Sequence, residues 1–130
     1  MIHLFVAAVA AQTLGLCNIA GTDMEVAQCV WGEFKKADAE LNQQFVKSLK
    51  EAESADREDG HDRAKVDNRP SDAETLRQAE RAWIRFRDLH CAMEGYSERG
   101  GTIERVIEAS CFVRVTRERT EQLRMTWQRG

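Results

Sequence analysis

Apolar side chains recur along this chain at alternating steps of three and four. Ala27, Val30, Phe34, Ala37, Leu41, Phe45 and Leu49 trace one stripe along an α-helix. Thr22-Asp23-Met24-Glu25, just before it, has the form of a capping box: the Thr22 hydroxyl takes the third backbone N–H and Glu25 reaches back. A second run comprises Leu76, Ala79, Trp83, Phe86, His90 and Met93. It follows another capping box, Ser71-Asp72-Ala73-Glu74, and Pro70, which disfavours helical backbone at Arg69. This helix is expected to stop near Gly95. Gly100-Gly101 then turns the chain, and Thr102 is placed to cap a third helix. The third stripe is Ile103, Val106, Ile107, Ala109, Val113, Thr116, Thr120, Leu123 and Trp127. No alternating strand pattern of useful length occurs. The expected fold is all-α: a small three-helix bundle built as a helical hairpin plus a third helix.

Between the first two helices lies an acidic linker, near residues 51–70, with seven acidic and four basic side chains and almost nothing apolar. It reads as a solvated connector with its turn near Gly60. The length of 130 residues suits a single domain, placed here at 17–130. Ahead of it, residues 1–16 read as an atypical or truncated signal segment. Ile2 to Ala11 is apolar and ends in the small-residue pattern Ala8-Val9-Ala10, but no Lys or Arg precedes it. The stretch is too polar for a transmembrane segment.

Charge and cysteines narrow the class. A net charge of −3 and a pI near 5.7 argue against a nucleic-acid binder. The four cysteines, Cys17, Cys29, Cys91 and Cys111, lack the two-residue spacing of zinc or thioredoxin-type sites. Two disulfides in an oxidising compartment fit a small domain better. Spacing alone leaves three connectivities open. A hairpin turning near Gly60 would set Cys29 level with Cys91 and leave Cys17 for Cys111, so Cys29–Cys91 and Cys17–Cys111 is the expected pairing.

Catalytic chemistry finds no foothold. There is no Gly-x-Ser-x-Gly elbow, no phosphate loop, and the three histidines are scattered. His90 beside Cys91 lacks the further ligands a metal needs, so it reads as a packed histidine. The chain is read as a non-enzyme without cofactor or metal. Arg87 lies one helical turn from Trp83, which suits a cation–π and ion-pair cluster that joins helices.

The second helix carries a recognisable pattern. Trp83-Ile84-Arg85-Phe86-Arg87-Asp88-Leu89-His90-Cys91 resembles the W-x-x-[FY]-R-D-x-x-C signature of the LprI-type lysozyme inhibitor-like domain family. Asp38-Ala39-Glu40-Leu41-Asn42 is similar to the family's D-x-x-L-N segment. Gly100-Gly101-Thr102, and Cys111 with Thr116-Arg117-Glu118-Arg119, are similar to its glycine turn and closing C…T-R-x-R. Glu80 departs from a common glutamine, and Phe34, Phe45 and Phe86 stand where tyrosine is common. The resemblance covers about residues 17–125 and implies a disulfide-linked helical domain, periplasmic or secreted, in the bacterial cell envelope. It further implies inhibition of lysozyme-type glycoside hydrolases, read here as occlusion of the substrate cleft. A basic hydrolase would be steered by acidic charge. The expected contact is therefore Glu51, Glu53, Glu58 and Asp59 in the linker, or Tyr96 in the 94–101 loop. The alternative function is a non-catalytic envelope interaction module with no hydrolase target. The signature residues Asp38, Leu41, Asn42, Trp83, Phe86, Arg87, Asp88, Gly100, Gly101, Thr116 and Arg117 read as mainly architectural.

Overall fold

Three helices follow one another: α1 (Asp23–Arg63), α2 (Asp72–Gly95) and α3 (Glu104–Thr126), with a 3-10 turn at Tyr96–Glu98 between the last two. The computed structural model describes residues 17, 18, 20–63 and 67–127, the side chains of 59–63 excepted. The expected signal segment, residues 1–16, lies outside the described residues. Among the described residues there is no strand. No helix in them is long and apolar enough to cross a membrane.

The helix starts follow from their capping side chains in two cases out of three. Thr22 Oγ1 accepts from Glu25 N at 3.2 Å, and Ser71 Oγ accepts from Glu74 N at 3.2 Å. Thr102 does not cap α3. Its hydroxyl donates to the Asp23 carboxylate, tying the start of α3 to the start of α1, and Ile103 takes the cap position without a side-chain hydrogen bond. Gly100 reverses the chain at φ +83°, a conformation that favours glycine, and donates its N–H to Glu104 Oε2 at 2.9 Å.

The expected linker is corrected at its first half, because Glu51 to Arg63 continue α1. Small side chains explain the continuation. Ser48 and Ala52 are fully buried and extend the stripe of Leu41, and Ala73 of α2 is buried as well. Asp56 then reaches across, its carboxylate accepting from Asp72 N at 2.8 Å and Ala73 N at 3.1 Å. An acidic side chain at the positive end of a neighbouring helix satisfies two of that helix's orphan donors.

The longer α1 also moves the turn of the hairpin and overturns the expected disulfides. The bonds are Cys17–Cys29, with Cα atoms 5.8 Å apart, and Cys91–Cys111, with Cα atoms 5.4 Å apart. In the α1–α2 hairpin Asp38 meets Arg87 and Glu53 meets Arg77. In that register Cys29 lies more than a turn beyond Cys91, out of bonding range. Mirror positions are bonded in the second hairpin instead: Cys91 and Cys111 straddle Gly101 symmetrically, 20 residues apart. Cys17 closes a local loop onto the second turn of α1.

The stripes of α1 and α3 pack as their sequences suggest, with Val30, Phe34, Ala37, Leu41, Val106, Ala109, Val113 and Leu123 buried; Ile103, at the head of the α3 stripe, is the exception and is exposed. The α2 stripe is a correction. Ala79, Phe86 and Met93, expected inward, are exposed, and the buried positions are Ala73, Glu80, Arg87, Cys91 and Gly95. Two polar contacts stabilise this rotation. Glu80 Oε2 accepts from Arg119 Nε at 3.0 Å, with both side chains nearly buried. Arg87 enters the middle of the bundle. Buried charges of this kind persist only when paired and hydrogen-bonded.

Candidate functional site

Three signature residues of the second helix, Trp83, Arg87 and Asp88, converge on one node. The Arg87 guanidinium, 8% exposed, lies 5.1 Å from the centroid of Phe34, 5.2 Å from Trp83 and 5.2 Å from Phe112, one ring from each helix. Its Nη1 donates to Asp38 Oδ1 at 3.4 Å and its Nε to Asp88 Oδ1 at 3.0 Å. The guanidinium sits among the three rings within cation–π range, with Nε and Nη1 paired to the two carboxylates. Trp31 adds an outer ring, with centroids 4.9 Å from Phe34 and 5.6 Å from Phe112. Trp83 also lies under Arg119, 5.9 Å away. The node joins three helices and is largely buried.

The other expected residues disperse. Leu41 is buried, whereas Asn42 is exposed and lines, with Asp38, Arg77 and Arg81, a shallow groove of about 300 Å³. Gly100 and Gly101 form the α2–α3 turn. Thr116 is fully buried, its Oγ1 without a protein partner, and its carbonyl accepts from Thr120 Oγ1 at 3.2 Å. Arg117 is half exposed and lies 3.9 Å from Glu33. Phe86 stands on the outside, stacked on His90 at 5.2 Å.

The expected partner-binding residues fall at opposite ends of the molecule. Glu51 and Glu58 are exposed on the last turns of α1 and have no ion pair among the described residues, whereas Glu53 pairs with Arg77 at 3.4 Å. The side chain of Asp59 lies outside the described residues. Tyr96 ends α2, with Arg99 over its ring at 4.5 Å. From Arg77 to Tyr96 the axis of α2 runs roughly 28 Å, so the acidic residues and Tyr96 do not share one small site.

By the pairs Phe34–Phe112 and Glu33–Arg117, α3 runs out level with about Asn42 to Ser48 of α1. Beyond that point the hairpin continues as two helices. The result is an acidic two-helix arm that carries Glu51, Glu53, Asp56 and Glu58.

Two other arrangements bear on chemistry. His90, Glu94 and Cys111 place donor atoms within 4.8 Å of one another. The set does not suit a metal ion: Cys111 is in a disulfide, and Glu94 Oε1 holds Arg114 Nη2 at 2.5 Å. An open groove of about 550 Å³ between α1 and α3 is lined by Met24, Trp31, Lys35, Arg105 and Glu108.

Sequence reasoning missed Glu80, Phe112 and Arg119 as parts of the node. The usable signal was Cys91. A disulfide cysteine marks the inward face of its helix, and counting back from it by four and then seven residues reaches Arg87 and Glu80.

The fold and its seams define a class: a disulfide-linked three-helix domain with no catalytic constellation among the described residues. Residues 17–123 match the family model described as Lysozyme inhibitor LprI, and the chain belongs to that family. It is also similar to a protein of Rhizobium meliloti (strain 1021) named "Uncharacterized protein R02472". The two are 33% identical over 109 residues, covering 83% of this chain and 76% of that protein. No solved structure matches.

Proposed function

We propose that this protein binds a lysozyme-type glycoside hydrolase and inhibits it by occluding the substrate cleft, acting without catalysis outside the cytoplasm. Membership of the lysozyme-inhibitor family carries the reading. The two disulfides fit an oxidising compartment. The surface proposed for the contact is the acidic arm, with Glu51 and Glu58 leading and Glu53 and Asp59 beside them. A projecting two-helix arm suits a concave site, and its unpaired carboxylates would speed encounter with a basic enzyme. Tyr96, at the far end of α2, is the alternative contact.

The test is inhibition of cell-wall lysis by c-, g- and i-type lysozymes, with association rates measured at low and high salt. The oxidised protein should inhibit at least one type. Glu51→Lys with Glu58→Lys should slow association by about tenfold or more at low salt, and by less at high salt. Unchanged rates would move the contact off the arm. Absence of inhibition across all three types would favour an envelope interaction module without a hydrolase target.

A further inference from the structure

The rotation of α2 that buries Glu80 and Arg87 has a counterpart outside. Along its exposed face run Ala79, Ala82, Phe86, Leu89 and Met93, ending at Tyr96 in the following turn. Their spacing of three, four, three, four and three is that of a coiled-coil seam. The four large side chains are substantially open: Phe86 56%, Leu89 62%, Met93 59% and Tyr96 51% exposed. No charged residue interrupts the line, although charged residues make up 32% of the chain. Among the described residues only Arg99, over the Tyr96 ring, and His90, stacked on Phe86, lie against it.

We propose that this seam pairs with the same seam of a second copy, the two α2 helices lying antiparallel about a two-fold axis between Phe86 and Leu89. The spacing reads the same from either end, so antiparallel copies fall into register. Large then meets small: Met93 faces Ala82 of the other copy, Tyr96 faces Ala79, and Phe86 and Leu89 face each other at the centre. This alternation is the fit a close helix pair requires. A seam of the opposite composition, large residues at both ends, would clash with itself when reversed.

A two-fold contact is self-complementary by construction, and this face meets that condition. The exposed parts of the six residues amount to on the order of 600 Å² per copy, about 1,200 Å² in all, at the lower edge of the standard interface range. Such an area supports a dimer in the micromolar range and leaves the acidic arm of each copy free. The inference stands independently of the hydrolase reading.

The test uses the full oxidised chain in analytical ultracentrifugation from about 2 to 200 μM. The wild type should pass from monomer to dimer across this range. Leu89→Glu places a charge at the centre of the seam in both copies, and should raise the dissociation constant by about 100-fold while circular dichroism and melting stay unchanged. Register is read by oxidative cross-linking. A mixture of Ala82→Cys and Met93→Cys chains should cross-link as a mixed pair. Ala82→Cys alone should not, its two copies being roughly 16 Å apart along the axis. A wild type that stays monomeric at about 200 μM overturns the proposal. So does a dimer indifferent to Leu89→Glu, or cross-linking of Ala82→Cys alone that equals the mixed pair. A monomer whose hydrolase inhibition is lost in Leu89→Glu would assign the seam to the hydrolase and overturn it equally.

Discussion

The two ends of the bundle are built differently. At the disulfide end, three helices enclose a continuous apolar cluster of Val26, Val30, Phe34, Val106, Phe112 and Val113 with both disulfides. At the other end α1 and α2 continue alone, in contact through small residues and held by the Asp56 carboxylate and the Arg77–Glu53 pair. One end is stabilised by burial and covalent closure, the other by capping and exposed charge, which are worth far less. The difference separates a disulfide-closed platform from a two-helix arm with a polar surface.

The largest blow to that contrast is removal of Cys91–Cys111 by Cys91→Ala with Cys111→Ala. Both cysteines are fully buried and join α2 to α3. Denaturant unfolding should show a loss of about 2–4 kcal/mol. Cys17→Ala with Cys29→Ala should cost less, since it closes the shorter loop and holds only the segment ahead of α1. Equal losses would mean that the N-terminal segment contributes as much to the platform as the α2–α3 hairpin.

Arg87 comes next. Arg87→Ala removes a guanidinium packed on three rings and leaves a void between the helices, for an expected loss of about 2–3 kcal/mol in the same unfolding measurement. Arg87→Lys should recover less than half of it, because an ammonium cannot lie flat against Phe34, Trp83 and Phe112 while pairing with Asp38 and Asp88. Full recovery by lysine would reduce the node to a simple ion pair.

These residues also show what was legible in the sequence. Helix number, the stripes of α1 and α3 and two of the three caps follow from spacing and local chemistry, since each depends on residues within a few turns. The Arg87–Trp83 contact was legible for the same reason. The inward face of α2 was not. Its hydrophobic pattern points outward, and only partners distant in sequence, Arg119 for Glu80 and Asp38 for Arg87, make the polar face the buried one. The disulfide pairing failed through the same long-range dependence, because it hinged on where α1 stops. That in turn is set by Ala52 and Asp56, inconspicuous within an acidic run. The family resemblance named Asp38, Trp83, Arg87 and Asp88 of the node but not Phe112 or Arg119, which reach it from α3.

On the arm, effects shrink. Asp56→Ala removes the cap that α1 supplies to α2 and should cost about 1 kcal/mol. Hydrogen exchange distinguishes this from a global effect. The amides of Asp72 and Ala73 should lose protection, while those around Cys91 and Phe112 keep theirs relative to global stability. Protection lost evenly along all three helices would mean that the two ends unfold as one unit.

The smallest effect sharpens the comparison by pH. Glu74, in the first turn of α2, has its carboxyl held below the ordinary value of 4.5, chiefly by the hydrogen bond from Gln78 and further by the nearby Arg81 and Arg77. A carboxyl lowered in the folded state stabilises it fully above the unfolded value, and that contribution fades as pH falls through the lowered one. Glu74→Gln should therefore melt slightly below the wild type at neutral pH. The gap should narrow only under acid conditions, starting near the ordinary value of 4.5. Salt should narrow it at any pH, because these charges sit in water. The cysteine and Arg87 variants should respond little to added salt, since their losses arise from chain closure and ring packing away from solvent. A Glu74→Gln gap that survives both acid and salt would show that the first turn of α2 is held by packing, and the contrast between the two ends would then be one of degree.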